Sequence, residues 1–303
     1  MRSSTFSPLL AAIAATAIFA PYSPAEDRAV DPTFLYRSID KVQPAVSDIS
    51  TAGCRYKPLF GKGDDASSIV KGVARYGEII VDPGASCETV NYPAEEQILF
   101  VLAGNGNLNY GDSKSPLQPE DFVYLPPTIP HRISNDSTAP LRAVIMGFHI
   151  PKGTRITAPA KPLIANTSQA KKQVVGNHPP STLYQLLMGD WTSKRDVIAA
   201  GHIFTSLFIM EFTPGGTNFP HHHLKEEEIY LVLDGKGEIV AGGGMDGVEG
   251  RHPAKQGDAY FYRANATVGF YADDSPNAGK ARILAIRSRY PGLDPPAEGP
   301  AAK

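Results

Sequence analysis

The chain contains the same unit twice, and this repeat constrains the fold more than any other feature. A shift of 131 residues places the stretch EEQILFVLAGNG (95–106) on EEEIYLVLDGKG (226–237). A further offset of six residues aligns EDFVYL (120–125) with GDAYFY (257–262), and the extra residues fall in a Gly-rich stretch that we interpret as a longer loop. Matches in this order and at one spacing predict two copies of one structural unit.

Each copy has the pattern of a β unit. The segments ILFVL and IYLVL are apolar and rich in β-branched and aromatic residues, and each is followed by a Gly-x-Gly turn and a further strand pattern. The best helical pattern is TLYQLLMGD at 182–190, and it is short. We therefore predict an all-β protein with two barrels or sandwiches of about 110–120 residues each.

The N-terminus has the features of a secretory signal peptide. Arg2 supplies a positive charge, the run from Leu9 to Ala20 is apolar, and Ser23 and Ala25 are small residues at the −3 and −1 positions of a cleavage site. The run is short for a bilayer span, although a short membrane anchor is the alternative. We expect a mature chain that begins near Glu26 and is secreted or periplasmic.

These features divide the chain into four parts. Residues 1–25 form the predicted signal peptide, 26–155 the first unit, 156–290 the second unit, and 291–303 a flexible tail. The Pro- and Lys-rich stretch at 151–162 is typical of a linker between the two units.

Charge and hydropathy restrict the partners of the protein. Lys and Arg number 29 against 31 Asp and Glu, which gives a net charge of −2 and no basic stripe for nucleic acid. After the leader no stretch reaches about 18 apolar residues, so we expect no membrane association once the signal is cleaved. A small molecule is the expected partner, and pairing between barrel edges would allow a homo-oligomer.

Two cysteines, Cys54 and Cys87, both lie in the first half of the chain. In an oxidising compartment they could form one disulfide, and the alternative is two buried or unpaired thiols. The choice depends on the separation of the two Cα atoms, so both possibilities stay open here.

The second copy carries a histidine cluster, in the sequence PGGTNFPHHHLKEEEIYLVLDGKG. Side chains at i and i+2 of a strand share a face, so His221 and His223 would project together and His222 would point away. Glu228 could return to the same place on the next strand. Two imidazoles and one carboxylate, with further positions open, suit one divalent transition metal such as Mn, Fe, Zn, Ni or Cu.

The spacing of this cluster resembles a known family motif. Gly215, five residues, His221-x-His223, four residues, Glu228, six residues and Gly235 match the first cupin motif, G-x5-H-x-H-x3,4-E-x6-G. The chain therefore resembles a bicupin, and the resemblance covers roughly residues 60–150 and 200–290. It implies two tandem double-stranded β-helix barrels. In this family the two His, the Glu and a later His hold a metal inside the barrel.

The later His of the family pattern is missing from the second copy. In the first copy it is present as His131, in the stretch DFVYLPPTIPHRISN, and the aligned residue of the second copy is Val268. Water, a substrate or another group such as Asn265 could complete the coordination. Glu227 could also replace Glu228 under the shorter spacing of the motif, although a solvated turn is the main interpretation of Glu226 and Glu227.

The first copy lacks the other ligands. Val90, Tyr92 and Gln97 align with His221, His223 and Glu228, so His131 is interpreted as a hydrogen-bonded pocket residue. We predict a single metal site, in the second barrel.

Three functions are compatible with this pattern. The first is a metal-dependent enzyme on a small molecule, of hydrolase or dioxygenase type; the N-terminal half resembles ureidoglycine aminohydrolases, whose metal also lies in the C-terminal barrel. The second is a non-catalytic bicupin that binds a metal or a small ligand. The third is a structural bicupin resembling seed-storage proteins, and the retained histidine cluster argues against it. Metal analysis separates the third from the others, and turnover separates the first from the second.

Overall fold

The computed structural model of the chain describes residues 32–65, 67–176, 178–243, 249–289 and 291. The predicted signal peptide at 1–25 lies outside these residues, as does the predicted tail apart from residue 291. The described chain is built almost wholly from strands, with one short 3-10 helix at Thr167–Gln169, so the prediction of an all-β fold with two barrels is confirmed. No helix among the described residues is long and apolar enough to cross a membrane.

The strands follow the repeat. Strand β1 (Phe34–Ser38) opens the described chain. The first unit contains β2 (Cys54–Gly61), β3 (Val73–Val81), β4 (Glu95–Ala103), β5 (Gly106–Tyr110), β6 (Ser113–Leu117), β7 (Asp121–Leu125), β8 (His131–Ser134) and β9 (Leu141–His149). Strand β10 (Leu163–Asn166) follows the linker. The second unit contains β11 (Thr182–Asp190), β12 (Ile198–Gly201), β13 (Phe204–Phe212), β14 (His221–His222), β15 (Glu226–Asp234), β16 (Lys236–Gly242), β17 (Gly250–Lys255), β18 (Asp258–Tyr262), β19 (Thr267–Ala272) and β20 (Ala281–Arg289).

Each barrel consists of a large sheet facing a small one. The first has a six-stranded sheet in the order β10-β7-β4-β9-β3-β2 and a three-stranded sheet in the order β6-β5-β8. The second has a seven-stranded sheet in the order β1-β18-β15-β20-β13-β11-β12 and a four-stranded sheet in the order β14-β19-β16-β17. The central order β7-β4-β9-β3-β2 recurs as β18-β15-β20-β13-β11, which is the structural form of the sequence repeat.

The barrels exchange strands at their edges. Strand β1 precedes the first unit, yet it pairs with β18 of the second barrel, Phe34 opposite Tyr262. Strand β10 follows the linker, yet it pairs with β7 of the first barrel, Leu163 opposite Tyr124. Hydrogen bonding therefore crosses the predicted boundary at residue 155 in both directions.

Alternate residues of the large sheets enter different cores. In β4, Leu99 lies inside the first barrel, whereas Ile98 lies in a core that both barrels share. In β15, Tyr230 lies inside the second barrel and Ile229 in the shared core. A fully buried aliphatic side chain stabilises the fold by roughly 1.5–3 kcal/mol. Burial on both faces explains why these strands are nearly continuous apolar runs.

The segment at residues 182–190, which has the best helical pattern of the sequence, does not form a helix. This segment is strand β11, which pairs with β13 along its length and has a bulge between Leu186 and Met188. Tyr184 and Leu186 pack inside the second barrel, while Leu187 and Met188 pack in the shared core. Burial on both faces removed the period-2 alternation that would have identified a strand.

Cys54 and Cys87 form a disulfide, a point that the sequence left open. Their Cα atoms lie 5.0 Å apart, and both residues belong to the core of the first barrel. The bridge joins the start of β2 to the segment that leads into β4.

Candidate metal centre

The histidine cluster and Glu228 converge inside the second barrel. His221 lies on β14, His223 follows that strand, and Glu228 lies on β15. One ligand atom from each of the three residues lies within 4.8 Å of the others. His222 points away and is exposed, as strand parity predicts. The three residues selected from the motif are thus brought together, and an ion bound between them stays a prediction.

Backbone contacts orient the first imidazole. His221 Nδ1 lies 2.8 Å from the carbonyl oxygen of Phe219, and an N–H at Nδ1 leaves the Nε2 lone pair free for a metal. Phe219 has a φ of 54°, in the left-handed region that residues other than glycine rarely adopt. Backbone strain of this kind is common where a fold positions functional groups.

Glu228 is held as a carboxylate although it is buried. Burial raises its pKa, but hydrogen bonding to His223 and the charges of His223 and Arg287 outweigh burial, so the pKa is lowered. His223 Nε2 lies 3.3 Å from Glu228 Oε2, and that oxygen accepts no well-aligned hydrogen bond. For His221 burial has the opposite effect and lowers the pKa, because it disfavours the charged imidazolium. Neutral imidazoles and an ionised carboxylate are the forms that bind a metal.

A cavity of about 70 Å³ adjoins these three residues. Apolar side chains form much of its wall, including Leu186, Phe208 and Met210. Arg287 also lines it: its guanidinium lies 5.4 Å over the Phe208 ring, and its buried Nε makes no hydrogen bond. The cavity therefore combines apolar wall residues with two cationic groups, Arg287 and Arg195, beside the three candidate ligands.

A third imidazole, which the motif did not identify, borders the same cavity. The ring centroid of His178 lies 5.4 Å from that of His221, and His178 Nδ1 lies 2.7 Å from the carbonyl oxygen of Asn218. His178 precedes β11 and lies 43 residues before His221. No local spacing links it to His221, so the sequence carried no signal for it.

Two further positions named in the sequence analysis, Val268 and Asn265, adjoin the candidate ligands through their backbones. Val268 is buried and pairs through its backbone with His221, so the missing histidine position adjoins the centre but holds an apolar side chain. Asn265 meets His223 through its backbone N–H, 2.8 Å from the His223 carbonyl oxygen.

Glu227 does not lie at this centre, and its interpretation as a solvated turn residue is wrong. It is 1% exposed and accepts backbone N–H groups of Lys71 and Gly72 from the other barrel, at 2.8 and 2.7 Å. Glu226, by contrast, is half-buried on the cavity side of β15, with Oε2 3.8 Å from His223 Nδ1. The parity of β15 separates these neighbours, since adjacent side chains point to opposite faces.

The first barrel holds an arginine where the second gathers ligands. Arg75, which aligns with Ser206, is 2% exposed, and its Nε lies 2.8 Å from Glu95 and its Nη1 2.9 Å from Asp48. The Tyr92 hydroxyl also lies 2.9 Å from Nη1. The interior of the first barrel is thus occupied by a built-in cation with its own carboxylates.

His131 is a buried pocket residue of this barrel. Its Nδ1 lies 3.1 Å from the Ile129 carbonyl, its ring lies 6.0 Å from that of Tyr92, and burial lowers its pKa. The other histidine of the first unit, His149, is exposed at the end of β9.

Comparison with protein families and curated proteins identifies the repeated unit. The cupin domain model matches residues 77–147 and 208–281, one region in each barrel. An uncharacterized protein of Methanocaldococcus jannaschii is 29% identical over 82 residues, which is 27% of this chain and 66% of that protein, just under two thirds of its length.

Solved structures with the same fold cover nearly the whole chain. A protein of Pseudomonas aeruginosa described as glyoxylate-induced has a TM-score of 0.68 at 15% identity and covers 94% of this chain and 96% of its own. Protein Ylba of E. coli has a TM-score of 0.64 at 14% identity, covering 89% and 97%. Oxalate decarboxylase of Lactobacillus farciminis, solved as a formate complex, has a TM-score of 0.62 at 14% identity, covering 85% and 86%. With a cupin match in each barrel, and the same fold as these structures over most of its length, the chain contains two cupin domains in a bicupin arrangement.

Proposed function

We propose that the protein is an enzyme that uses one divalent transition metal, bound in the second barrel, to act on a small molecule. His221, His223 and Glu228 would be its protein ligands. The observation that carries this proposal is the convergence of two imidazoles and one carboxylate within 4.8 Å. Mn, Fe, Zn, Ni and Cu all accept such a donor set, so the metal is proposed only by class.

The residues present fit such an ion. Glu228 Oε2 is buried without a well-aligned hydrogen bond, and the His221 ring is anchored through Nδ1 so that Nε2 is left free. When bound, a divalent ion would polarise a substrate oxygen or lower the pKa of a water. The apolar wall of the cavity would keep other waters away from the reacting group.

We further propose a small carboxylate as the substrate class. The cavity of about 70 Å³ is small beside the roughly 300–1,000 Å³ of typical ligand pockets, which favours a small substrate. The unpartnered Nε of Arg287 would bind one carboxylate oxygen in that space. The solved oxalate decarboxylase in complex with formate has the same fold, which supports this size and charge.

Metal analysis tests the centre. Protein purified without added metal should contain about one transition-metal ion per chain, because the described residues bring together a single group of three candidate ligands. His221→Ala or His223→Ala should remove most of that ion, since each leaves two ligands. His222→Ala is the matched control, because His222 is exposed and faces away, and it should retain the ion. Near-stoichiometric metal in both single mutants, or a metal beside His131 by anomalous scattering, would contradict the assignment.

Turnover separates the reaction types. Metal-loaded protein would be incubated with a panel of small carboxylates, with product followed by NMR and dissolved oxygen followed by electrode. Oxygen consumption would identify a dioxygenase, and product formation without it a hydrolase or another non-oxidative reaction. The finer resemblance to ureidoglycine aminohydrolases predicts hydrolysis of a ureido substrate, which belongs in the same panel.

The alternative is a bicupin that binds a metal or a small ligand without turnover, and the apolar Val268 at the missing histidine position favours it. In that case calorimetry would detect binding of a carboxylate by the metal-loaded protein while no product forms.

A homo-oligomer formed through sheet edges, where β12 ends the seven-stranded sheet, is proposed as well, and light scattering would test it.

We also propose that the protein acts outside the cytosol. The Cys54–Cys87 disulfide supports this, because such bonds persist in oxidising compartments. N-terminal sequencing of the protein from the secreted or periplasmic fraction should give a start near Glu26. Intact Met1 in protein confined to the cytosol would contradict export.

A further inference from the structure

The proposed centre lacks a protein ligand at the position where the motif predicts one. Val268 pairs with His221 across the sheet and is 1% exposed, so an aliphatic side chain fills the place of an imidazole. The equivalent pair of the first barrel is Val90 opposite His131, where the imidazole is present. Two imidazoles and one carboxylate remain, and metal sites commonly take four or more donors.

His178 lies on the wall of the same cavity, outside the group of three whose ligand atoms lie within 4.8 Å of one another, and its Nδ1 is held by a backbone carbonyl. Its ring stands 5.4 Å from that of His221, centroid to centroid, on the wall of the same cavity. Its Nδ1 lies 2.7 Å from the Asn218 carbonyl, while His221 Nδ1 lies 2.8 Å from the carbonyl of the next residue, Phe219. Consecutive carbonyls of one turn therefore hold both rings by Nδ1, and this leaves Nε2 available on each, as is usual for ligating histidines.

The internal repeat supplies an independent argument. In each half, the segment that enters the barrel bridges to the following strand, Ala45 to Tyr56 and Gln173 to Tyr184. In the first half this segment carries Asp48, which contacts the built-in cation Arg75 at 2.9 Å. The same segment of the second half carries His178. Each entering segment thus delivers a polar side chain to the place where its barrel holds, or would hold, a positive charge.

We propose that His178 is the fourth protein ligand of the metal in the second barrel and replaces the histidine that Val268 displaced. The inference rests on the proposed metal centre. The fourth ligand would then come from the chain segment before the barrel, outside the motif. This segment and the turn that carries His221 and His223 would bind the same ion.

The experiment measures metal binding directly. Full-length protein stripped with chelator would be titrated with Co²⁺ alone by calorimetry, and the visible spectrum of the Co²⁺ form would report its coordination. His178→Ala should weaken binding by more than the roughly 10- to 100-fold that loss of an outer-shell partner costs, and should change the Co²⁺ spectrum. His178→Gln should give the same result, because its amide is a poor substitute for imidazole. His222→Ala should match wild type in both readouts.

The outcomes distinguish the two proposals. If wild type binds Co²⁺ and His178→Ala binds it equally well with an unchanged spectrum, His178 is not a ligand, and the centre of His221, His223 and Glu228 stands without it. If wild type binds no Co²⁺, the metal centre itself fails. A crystal structure of the metal-loaded protein would show His178 Nε2 at about 2.1 Å from the ion, and a distance beyond coordination range would overturn the assignment.

Discussion

At the scale of single residues, Arg75 explains how the first barrel remains polar inside without metal ligands. Its guanidinium binds Glu95 through Nε and Nη2, at 2.8 and 2.9 Å, and Asp48 and Tyr92 through Nη1. Gln97, which aligns with Glu228, donates to Glu95 instead of binding an ion. A covalently attached cation therefore stands where the other barrel would recruit one.

Replacing this arginine should destabilise the fold. Arg75→Met removes the buried cation, so that, among the described residues, Glu95 keeps Gln97 and Asp48 keeps Lys62 as partners. We expect a loss of about 3 kcal/mol, the lower end for a broken buried pair, because a third of the Asp48 side chain is exposed. Urea unfolding measures this loss.

The matched control is Arg55→Met. Arg55 also pairs with an aspartate, Asp82, but the two side chains are 41% and 37% exposed. This change should cost less than about 1 kcal/mol. Equal losses in the two variants would show that burial of Arg75 does not matter to stability.

At the scale of strands, a symmetric pair of glutamates joins the barrels. Glu96 of β4 accepts backbone N–H groups of His202 and Ile203, from 2.9 to 3.2 Å, across the interface. Glu227 of β15 accepts those of Lys71 and Gly72 in the opposite direction. The offset of 131 residues relates both the acceptors and the donors. The adjacent glutamates of each repeat thus have separate tasks, one at the interface and one inside the barrel.

These carboxyl groups should make stability depend on pH. Burial raises the pKa of Glu96 to about 8 and that of Glu227 to about 7, although backbone hydrogen bonds lower both. The folded state then binds these protons more tightly than the unfolded chain, so stability falls as pH rises from about 4.5 through about 8. The loss should be on the order of a few kcal/mol.

Unfolding measured from pH 5 to 9 tests this. Glu96→Gln with Glu227→Gln keeps the shape of the neutral acids, so the double variant should lose less stability with rising pH than wild type. His202 Nδ1 lies 3.6 Å from Glu96, so replacing Glu96 also alters the titration of His202. The single variant Glu227→Gln leaves that pair intact and reports Glu227 alone. Parallel pH curves would contradict the prediction.

Strand β1 should be necessary for the second barrel. It covers β18 through five residue pairs, and Ile39 just after it is buried in the shared core. A chain that begins at residue 41 would expose the edge of β18, so we expect a lower Tm and self-association in light scattering. A chain that begins at Glu26 retains β1 and should match the mature protein. The same Tm for both chains would mean that the exchanged strand contributes little.

At the scale of the whole molecule, the two barrels of the repeat differ in the groups that they contain. The first barrel holds the disulfide and the built-in cation, whereas the second gathers His221, His223, Glu228 and the cavity. The exchanged strands and the shared core tie the two together, so the described residues of both barrels form one compact unit.

The disulfide should stabilise the first barrel without affecting metal binding. It closes a separation of 33 residues, and removing it as Cys54→Ser with Cys87→Ser should cost about 2–4 kcal/mol. Urea unfolding with and without reductant measures this. Metal content at the second barrel should not change. A loss of metal on reduction would show that the two barrels are coupled more tightly than their different groups imply.

Sequence reasoning was strongest where the relevant residues are close together in the chain. His221, His223 and Glu228 lie within eight residues, so strand parity and one turn are enough to predict that they meet. The repeat predicted two equivalent barrels, and the observed sheet orders confirm them. Local pattern failed at 182–190, because burial on both faces of β11 removed the alternation that marks a strand.

The amino-acid sequence by itself determined the two-barrel architecture, the all-β class and the group of candidate ligands, since these follow from local periodicity and from similarity between the halves. Only the tertiary structure decided which contacts join distant segments: Cys54 to Cys87, β1 to β18, Glu96 to His202, and His178 beside His221. Such contacts form when loop closure and burial in a shared core bring distant segments together. Contacts of this kind produce no periodic pattern in the sequence.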